Sequence, residues 1–236
     1  REIIAPTMKD LIKKEILRQI LKGECVLGEK LPTERDMAKK MKVSRTVINA
    51  ALSDLEDMGF VKIIPRQGVF VDNYSRNGNI DTLIEVMNYN EGSLDKKAFE
   101  SLLQYRVTAE CDCAYLAAQN RSEDDIRILE ELKEKLELAT EVNEIATLKV
   151  QFHQALYCAT GNTIYTLIYN SFKKLSFSFH KLIYQNYGIE ETTLYLDELI
   201  ANIKARRADS TKRTMSKLLT VRTKQIREHY YQTTIT

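Results

Sequence analysis

The chain has little that bends or locks a backbone. Its 236 residues include only 8 glycines and 3 prolines, so turns are few and a mostly helical protein is favoured. Its four cysteines, Cys25, Cys111, Cys113 and Cys158, match no zinc-binding spacing. Cys111 and Cys113 stand two apart on an expected helix and so point to different sides. They read as free thiols of a reducing cytoplasm. No apolar run approaches the length of a membrane span. No signal peptide is apparent, and a chain opening on Arg1 reads as a trimmed start. A glycine-rich phosphate loop, a nucleophile elbow and a metal-ligand cluster of adequate count are all missing, which argues against an enzyme. The net charge of +2 is small. Affinity for nucleic acid must therefore come from local clustering of cations. The length allows two modest domains.

What is present is concentrated in Leu27 to Asp72. Thr33 is placed to cap a helix, and Asp36 three residues on closes a capping box. Met37, Ala38 and Met41 form the inner face of that short helix. Lys42-Val43 makes a turn, and Ser44 caps a second helix. There Val47, Ile48, Ala51, Leu52, Leu55 and Met58 recur at helical spacing, and Gly59 supplies a left-handed stop. Arg45, Thr46 and Asn49 share the first exposed turn of this second helix. Phe60 to Ile64 and Val69 to Val71 read as strands, and Pro65-Arg66-Gln67-Gly68 is the turn between them. Upstream, Met8, Leu11, Ile12, Ile16 and Ile20 define a helix that completes the core, ended by Gly23. Two short helices and a β-wing make a winged helix-turn-helix. In such units the first turn of the second helix enters the major groove, where Arg reads guanine and Asn reads adenine. Lys39, Lys40, Lys42 and Arg66 are suited to phosphates.

This stretch resembles the amino-terminal domain of the GntR family of bacterial transcription regulators. The resemblance rests on Gly28-Glu29-Lys30-Leu31-Pro32-Thr33-Glu34-Arg35, Val43-Ser44-Arg45-Thr46-Val47, Gly59-Phe60-Val61 and Gln67-Gly68-Val69-Phe70-Val71. It implies DNA contacts at Arg35, Ser44, Arg45, Thr46, Gln67 and Gly68. Many members carry Arg where this chain has Asn49, so base preference there is expected to shift towards A·T. With Lys40, Asn49 and Arg66 added from the residues themselves, these positions form the expected DNA face.

Domain one is expected over residues 1–72. A polar linker, residues 73–79, follows, and an all-helical domain spans 80–236. Seven helices are expected there: Ile80 to Tyr89, Asp95 to Gln119, Ser122 to Thr140, Asn143 to Thr160, Asn162 to Tyr184, Glu191 to Arg206 and Asp209 to Tyr230. This half resembles the FCD effector domain of FadR-type GntR regulators, through Arg106-x-x-x-Glu110, Leu116-Ala117-Ala118, Phe152-His153-Gln154-Ala155-Leu156 and Gly161-Asn162. The fold class is thus mainly α, a winged helix-turn-helix followed by an FCD-like helical bundle.

The FCD resemblance implies a divalent metal held by one Asp and three His. Here those positions fall on Lys149, His153, Leu196 and Leu218. One histidine beside a lysine is a poor site, because ligands are too few and a cation opposes the metal. No metal or other cofactor is expected. Lys149 and His153 lie four apart on one helix face. With Arg106 and Tyr157 they are the expected effector contacts, the cations attracting a small anion such as a carboxylate, sugar acid, phosphate or acyl-coenzyme A. The alternative is a buried Lys149–Glu110 pair filling the former metal site. Tyr165, Tyr169, Tyr184 and His180 are candidates for the pocket wall or for plain core.

These observations give the expected function. A cytoplasmic homodimer, free of membrane, binds a pseudo-palindromic operator in double-stranded DNA and represses transcription until a small anionic metabolite binds the helical domain. Two alternatives stand beside it: an architectural DNA-binding dimer without effector, and an enzyme with an attached DNA-binding domain.

Overall fold

The computed structural model describes residues 6–89, 96–188 and 190–234. The chain divides into two compact units, Arg1–Ser93 and Leu94–Thr236.

The first unit opens with α1 (Met8–Leu21), then α2 (Glu34–Met41) and α3 (Arg45–Asp57). Thr7 closes a full capping box on α1 with Asp10. The expected box on α2 is only half made. Asp36 N–H donates to Thr33 Oγ1 at 3.2 Å. The Asp36 carboxylate, however, accepts the Thr33 hydroxyl at 2.7 Å instead of closing on the Thr33 backbone. Ser44 caps α3 by accepting from Val47 N–H. Lys42, at φ 56°, turns the chain between the two helices. Ile12, Ile16, Leu17 and Ile20 of α1 join Met37, Ala38, Ile48, Ala51, Leu52 and Leu55 in one buried core. Met8 and Leu11, expected in that core, are half exposed, because the buried stripe of α1 is centred on Leu17 instead.

The wing is an antiparallel pair, β1 (Val61–Ile64) and β2 (Gly68–Val71), with Val61 opposite Val71 and Ile64 opposite Gly68. Lys30 adds an isolated antiparallel bridge to Phe70 on the other edge of β2. Gly59 is required at the end of α3. Its φ is 72°, and a Cβ there would stand 2.7 Å from the Asn77 carbonyl oxygen.

The stretch expected as a linker contains a short helix, α4 (Tyr74–Asn77), followed by α5 (Ile80–Tyr89). Asn79 donates to the Asp57 carbonyl, the Thr82 hydroxyl donates to the Met58 carbonyl, and Glu85 pairs with Lys13. These bonds tie α5 to the first unit, so the expected boundary at residue 79 falls inside it.

The second unit is all helix among its described residues: α6 (Lys96–Asn120), α7 (Glu123–Leu138), α8 (Val142–Ala159), α9 (Thr163–Tyr187), α10 (Glu190–Lys204) and α11 (Ala208–Thr234). The expected start of α6 at Asp95 lies outside the described residues. Helix α8 packs on α6, α7 and α9, and α11 packs on α6, α9 and α10. Ala114, Ala117 and Ala118 let neighbours approach α6 closely, and Phe152, Leu156, Leu129 and Leu136 fill the centre. Ser122 and Asp125 close a full capping box on α7. Two arginines link the α6 end to the α10 end. Arg121 donates to the Lys204 carbonyl at 2.6 Å, and Arg206 donates to the Gln119 and Arg121 carbonyls.

Candidate nucleic-acid interface and ligand site

The capped start of α3 decides what the first unit presents. The same helical turn that buries Ile48 leaves Arg45, Thr46 and Asn49 exposed together. Ser44, at the cap, is exposed as well. On α2, Arg35, Lys39 and Lys40 are exposed, and at the wing so are Arg66 and Gln67; Gly68 is half-buried. None of Arg35, Lys39, Lys40, Lys42, Arg45 and Arg66 forms an ion pair among the described residues.

Three cations of α1 differ. Lys9 pairs with Asp54 at 2.8 Å, Lys13 with Glu85 at 2.9 Å, and Arg18 with Glu15 at 2.9 Å. Three cations of α1 are thus engaged within the unit, whereas those on α2, at its C-cap, on α3 and on the wing are not. An unpaired, exposed set is what a polyanion can bind without first breaking internal pairs. The wing turn holds Arg66 at φ 64°, and Gln67 N–H closes it onto the Ile64 carbonyl at 3.0 Å. Lys30 also belongs to this surface. Nothing local in the sequence marks it, because only its bridge to Phe70 brings it to the wing.

The second unit carries a buried polar cluster where α6, α8 and α9 meet. Arg106 Nε donates to Glu110 Oε1 at 2.6 Å. His153 Nδ1 lies 3.1 Å from Glu110 Oε2, in a geometry that leaves both atoms without a hydrogen bond. The His153 ring stacks on His180 with centroids 5.1 Å apart. Both nitrogens of His180 and the Arg106 Nη1 are also buried without a partner among the described residues. Such orphaned atoms are unusual in a folded core.

Charge in this cluster is finely balanced. Burial alone would raise the Glu110 carboxyl, but Arg106 and His153 more than offset it and hold the group at about 2. Burial lowers the Lys149 ammonium to about 7, with Arg222 and Arg106 adding to the fall and Glu110 opposing it. Burial also lowers His153 and carries His180 well below its ordinary value. Lys149, only 1 % exposed, makes no ion pair or hydrogen bond among the described residues. Its Nζ stands over the Phe152 ring at 5.0 Å.

The expected alternative, a Lys149–Glu110 pair, is therefore not what forms. Glu110 is taken by Arg106, one turn back on the same helix, and faces His153 across the interface. Of the expected effector contacts, Arg106 and Tyr157 line a small cavity with Glu110, Tyr169, Phe172 and Phe179. Lys149 and His153 are not part of that lining. The cavity measures ≈ 40 Å³, far below the roughly 300–1,000 Å³ of an open ligand pocket. Tyr169 is fixed by its hydroxyl, which donates to the Val150 carbonyl at 3.1 Å. The Arg106 guanidinium lies over Phe179 at 5.9 Å. Phe172, Ser176 and Phe179 were not apparent from the sequence as pocket residues, since nothing on α9 itself shows which part of its inner face meets Arg106 and Tyr157.

The residues do not suit the FCD metal. At the positions the resemblance assigns to the ligands, Lys149 is a buried cation and Leu196 and Leu218 are buried apolar side chains. Among the described residues no group of three His, Cys, Asp or Glu side chains is arranged to hold a metal ion. No helix among them is long and apolar enough to cross a membrane.

Comparison with known proteins agrees with this division. Residues 9–71 match the family described as bacterial regulatory proteins, gntR family, and residues 101–221 match the FCD domain. The HTH-type transcriptional regulator LutR of Bacillus subtilis is 31% identical over 159 residues, covering 66% of this chain and 69% of LutR. The fatty acid metabolism regulator protein of Shewanella frigidimarina is 27% identical over 165 residues, covering 69% and 66%. Among solved structures, Lar, which controls expression of the Listeria monocytogenes agr system, superposes with a TM-score of 0.57 at 17% identity, covering 96% of this chain and 99% of Lar. A GntR family member from Pseudomonas syringae pv. tomato gives 0.52 at 18% identity, covering 96% and 86%. At that identity the structural likeness speaks for the fold alone. The relatives are transcriptional regulators, not enzymes.

Proposed function

The chain belongs to the GntR family of bacterial regulatory proteins and carries its FCD domain, and from that premise we propose that it is a cytoplasmic, ligand-responsive repressor acting as a homodimer. Two copies present two α3 helices and two wings to a pseudo-palindromic operator, with half-sites about one helical turn apart. Arg45, Thr46 and Asn49 read bases. Arg35, Lys40, Ser44, Arg66, Gln67 and Gly68 position the backbone. The observation that carries this reading is the exposed, unpaired cation set around the start of α3.

The effector is a small anionic metabolite that enters the α6–α8–α9 cluster. Arg106 Nη1, buried without a partner, supplies the first donor for its anionic group. Lys149, His153 and Tyr157 complete the surroundings, and no metal takes part. Since the cavity is nearly closed at ≈ 40 Å³, binding requires the helices to part. A ligand that binds only the parted state shifts the population towards it. The closed cavity also supports a second reading, a DNA-binding dimer with no effector.

A thermal-shift screen of the purified chain separates them. The panel holds zinc, nickel, small carboxylates, sugar phosphates and acyl-coenzyme A thioesters. A raised melting temperature with an anionic metabolite and none with metal is the expected result. A shift with zinc or nickel overturns the metal-free reading, and no shift with any anion of the panel favours the second reading.

A further inference from the structure

Gly68 and Lys30 explain each other. Lys30 lies 38 positions upstream of Gly68 in the sequence, yet it bridges to Phe70 on the free edge of β2. Lys62 of β1 faces Phe70 from the other side. Residues directly opposite one another in a sheet project from the same face. Lys30, Phe70 and Lys62 therefore form one row across the outer face of the wing, with both lysines exposed. The Lys30 side chain does not stay in that row. It runs along the strand towards the wing turn and crosses Gly68. A Cβ on Gly68 would stand 2.8 Å from Lys30 Cε and 3.5 Å from its Nζ. The absent side chain at position 68, where φ is 119°, is what leaves the lane open. The ammonium is thereby delivered beside Gly68 at the end of the wing turn, and Lys30 makes no ion pair among the described residues.

We propose that Lys30 is a DNA-backbone contact, which with Arg66 forms a two-cation clamp at the wing tip that grips phosphates on the flank of the reading helix. The proposal rests on the DNA-binding reading above. It assigns Gly68 a second part besides turn geometry, namely to give the Lys30 stem passage. Phosphate contacts of this kind carry no sequence information but add to affinity and to its salt dependence.

The test measures binding of the full chain to a fluorescent duplex of mixed sequence, over a series of sodium chloride concentrations. Each neutralised phosphate contributes roughly 0.9 to the slope of log affinity against log salt. Lys30→Ala is expected to lower the slope by about that amount per chain, with the same loss of affinity on every duplex tried. Lys30→Arg should retain the slope. Lys13→Ala, which removes a cation already paired with Glu85, serves as the control and should leave the slope unchanged. An unaltered slope for Lys30→Ala, with wild-type binding intact, overturns this proposal alone. Failure of the wild-type chain to bind any duplex at low salt overturns the DNA-binding reading and the clamp with it. Circular dichroism confirms folding of each variant, since the bridge is held by backbone bonds alone, Leu31 N–H to the Val69 carbonyl and Val71 N–H to the Glu29 carbonyl.

Discussion

Arg45 and Arg106 are the same residue type on two helices and are used in opposite ways. Arg45 stands in water at the start of α3 with no ion-pair partner among the described residues. Arg106 has a side chain only 11 % exposed and is bound to Glu110 at 2.6 Å. An exposed, solitary arginine costs the fold almost nothing and keeps its hydrogen-bonding fork for a partner. A buried arginine is held only because its counter-charge is present, and losing that counter-charge leaves an uncompensated cation in the core. The DNA-facing unit therefore tolerates changes in its exposed charges, whereas in the helical unit the proposed effector contacts and stability reside in the same atoms.

That contrast breaks most visibly at Glu110. Glu110→Ala is expected to cost on the order of 3–5 kcal/mol, the usual loss when one partner of a buried pair is removed. Denaturant unfolding at neutral pH reads it as a lower midpoint. The Glu110 carboxyl is held at about 2, against an ordinary value of 4.5. Its contribution is thus fully present above pH 4.5 and is lost as the pH falls towards 2.

Lys149 goes the other way. Its ammonium is depressed to about 7 from an ordinary 10.5, so near neutrality the unfolded chain binds the proton more readily than the folded one. Stability from this group therefore rises with pH between 7 and 10.5. Lys149→Met removes the penalty and should stabilise the chain by roughly 4 kcal/mol at pH 7. The advantage shrinks as the pH is raised, which melting curves across that range will show. The same variant should lose its response to the effector, read as an unchanged melting temperature on adding the anion.

Changes on the DNA face are smaller and spare the fold. Arg45→Ala should lose about 1–3 kcal/mol of discrimination at one base step, with an unaltered melting temperature. Thr33→Ala removes the α2 cap and should cost about 1 kcal/mol of stability, seen as a modestly lower midpoint with the salt slope for DNA preserved.

The two units also differed in how far the sequence revealed them. Arg45, Thr46 and Asn49 could be placed on one exposed turn because helical period and a Ser44 cap are local properties. The seven helices after residue 79 were equally legible from periodicity and breaks such as Gly161-Asn162. What could not be read was pairing across elements. Lys149 was the expected alternative partner of Glu110, and that Arg106 holds it instead depends on where α8 sits against α6. Lys30 stood in the sequence only as one letter of the motif from Gly28 to Arg35, and strand pairing is what carries it to Gly68. Helix α5 reads as part of the second half by pattern, yet Thr82, Glu85 and the preceding Asn79 bond to the first unit. The half-made box at Thr33 shows the same limit on a small scale. The spacing of Thr33 and Asp36 was right, but the carboxylate found the hydroxyl before the backbone.

Selection of bound duplexes from a randomised DNA pool, followed by sequencing, tests the central claim most directly. The account predicts an enriched pseudo-palindrome whose half-sites lie about one helical turn apart, with A·T preferred at the step facing Asn49. Enrichment of no sequence at all, or of a single unrepeated site with guanine fixed opposite Asn49, would contradict it.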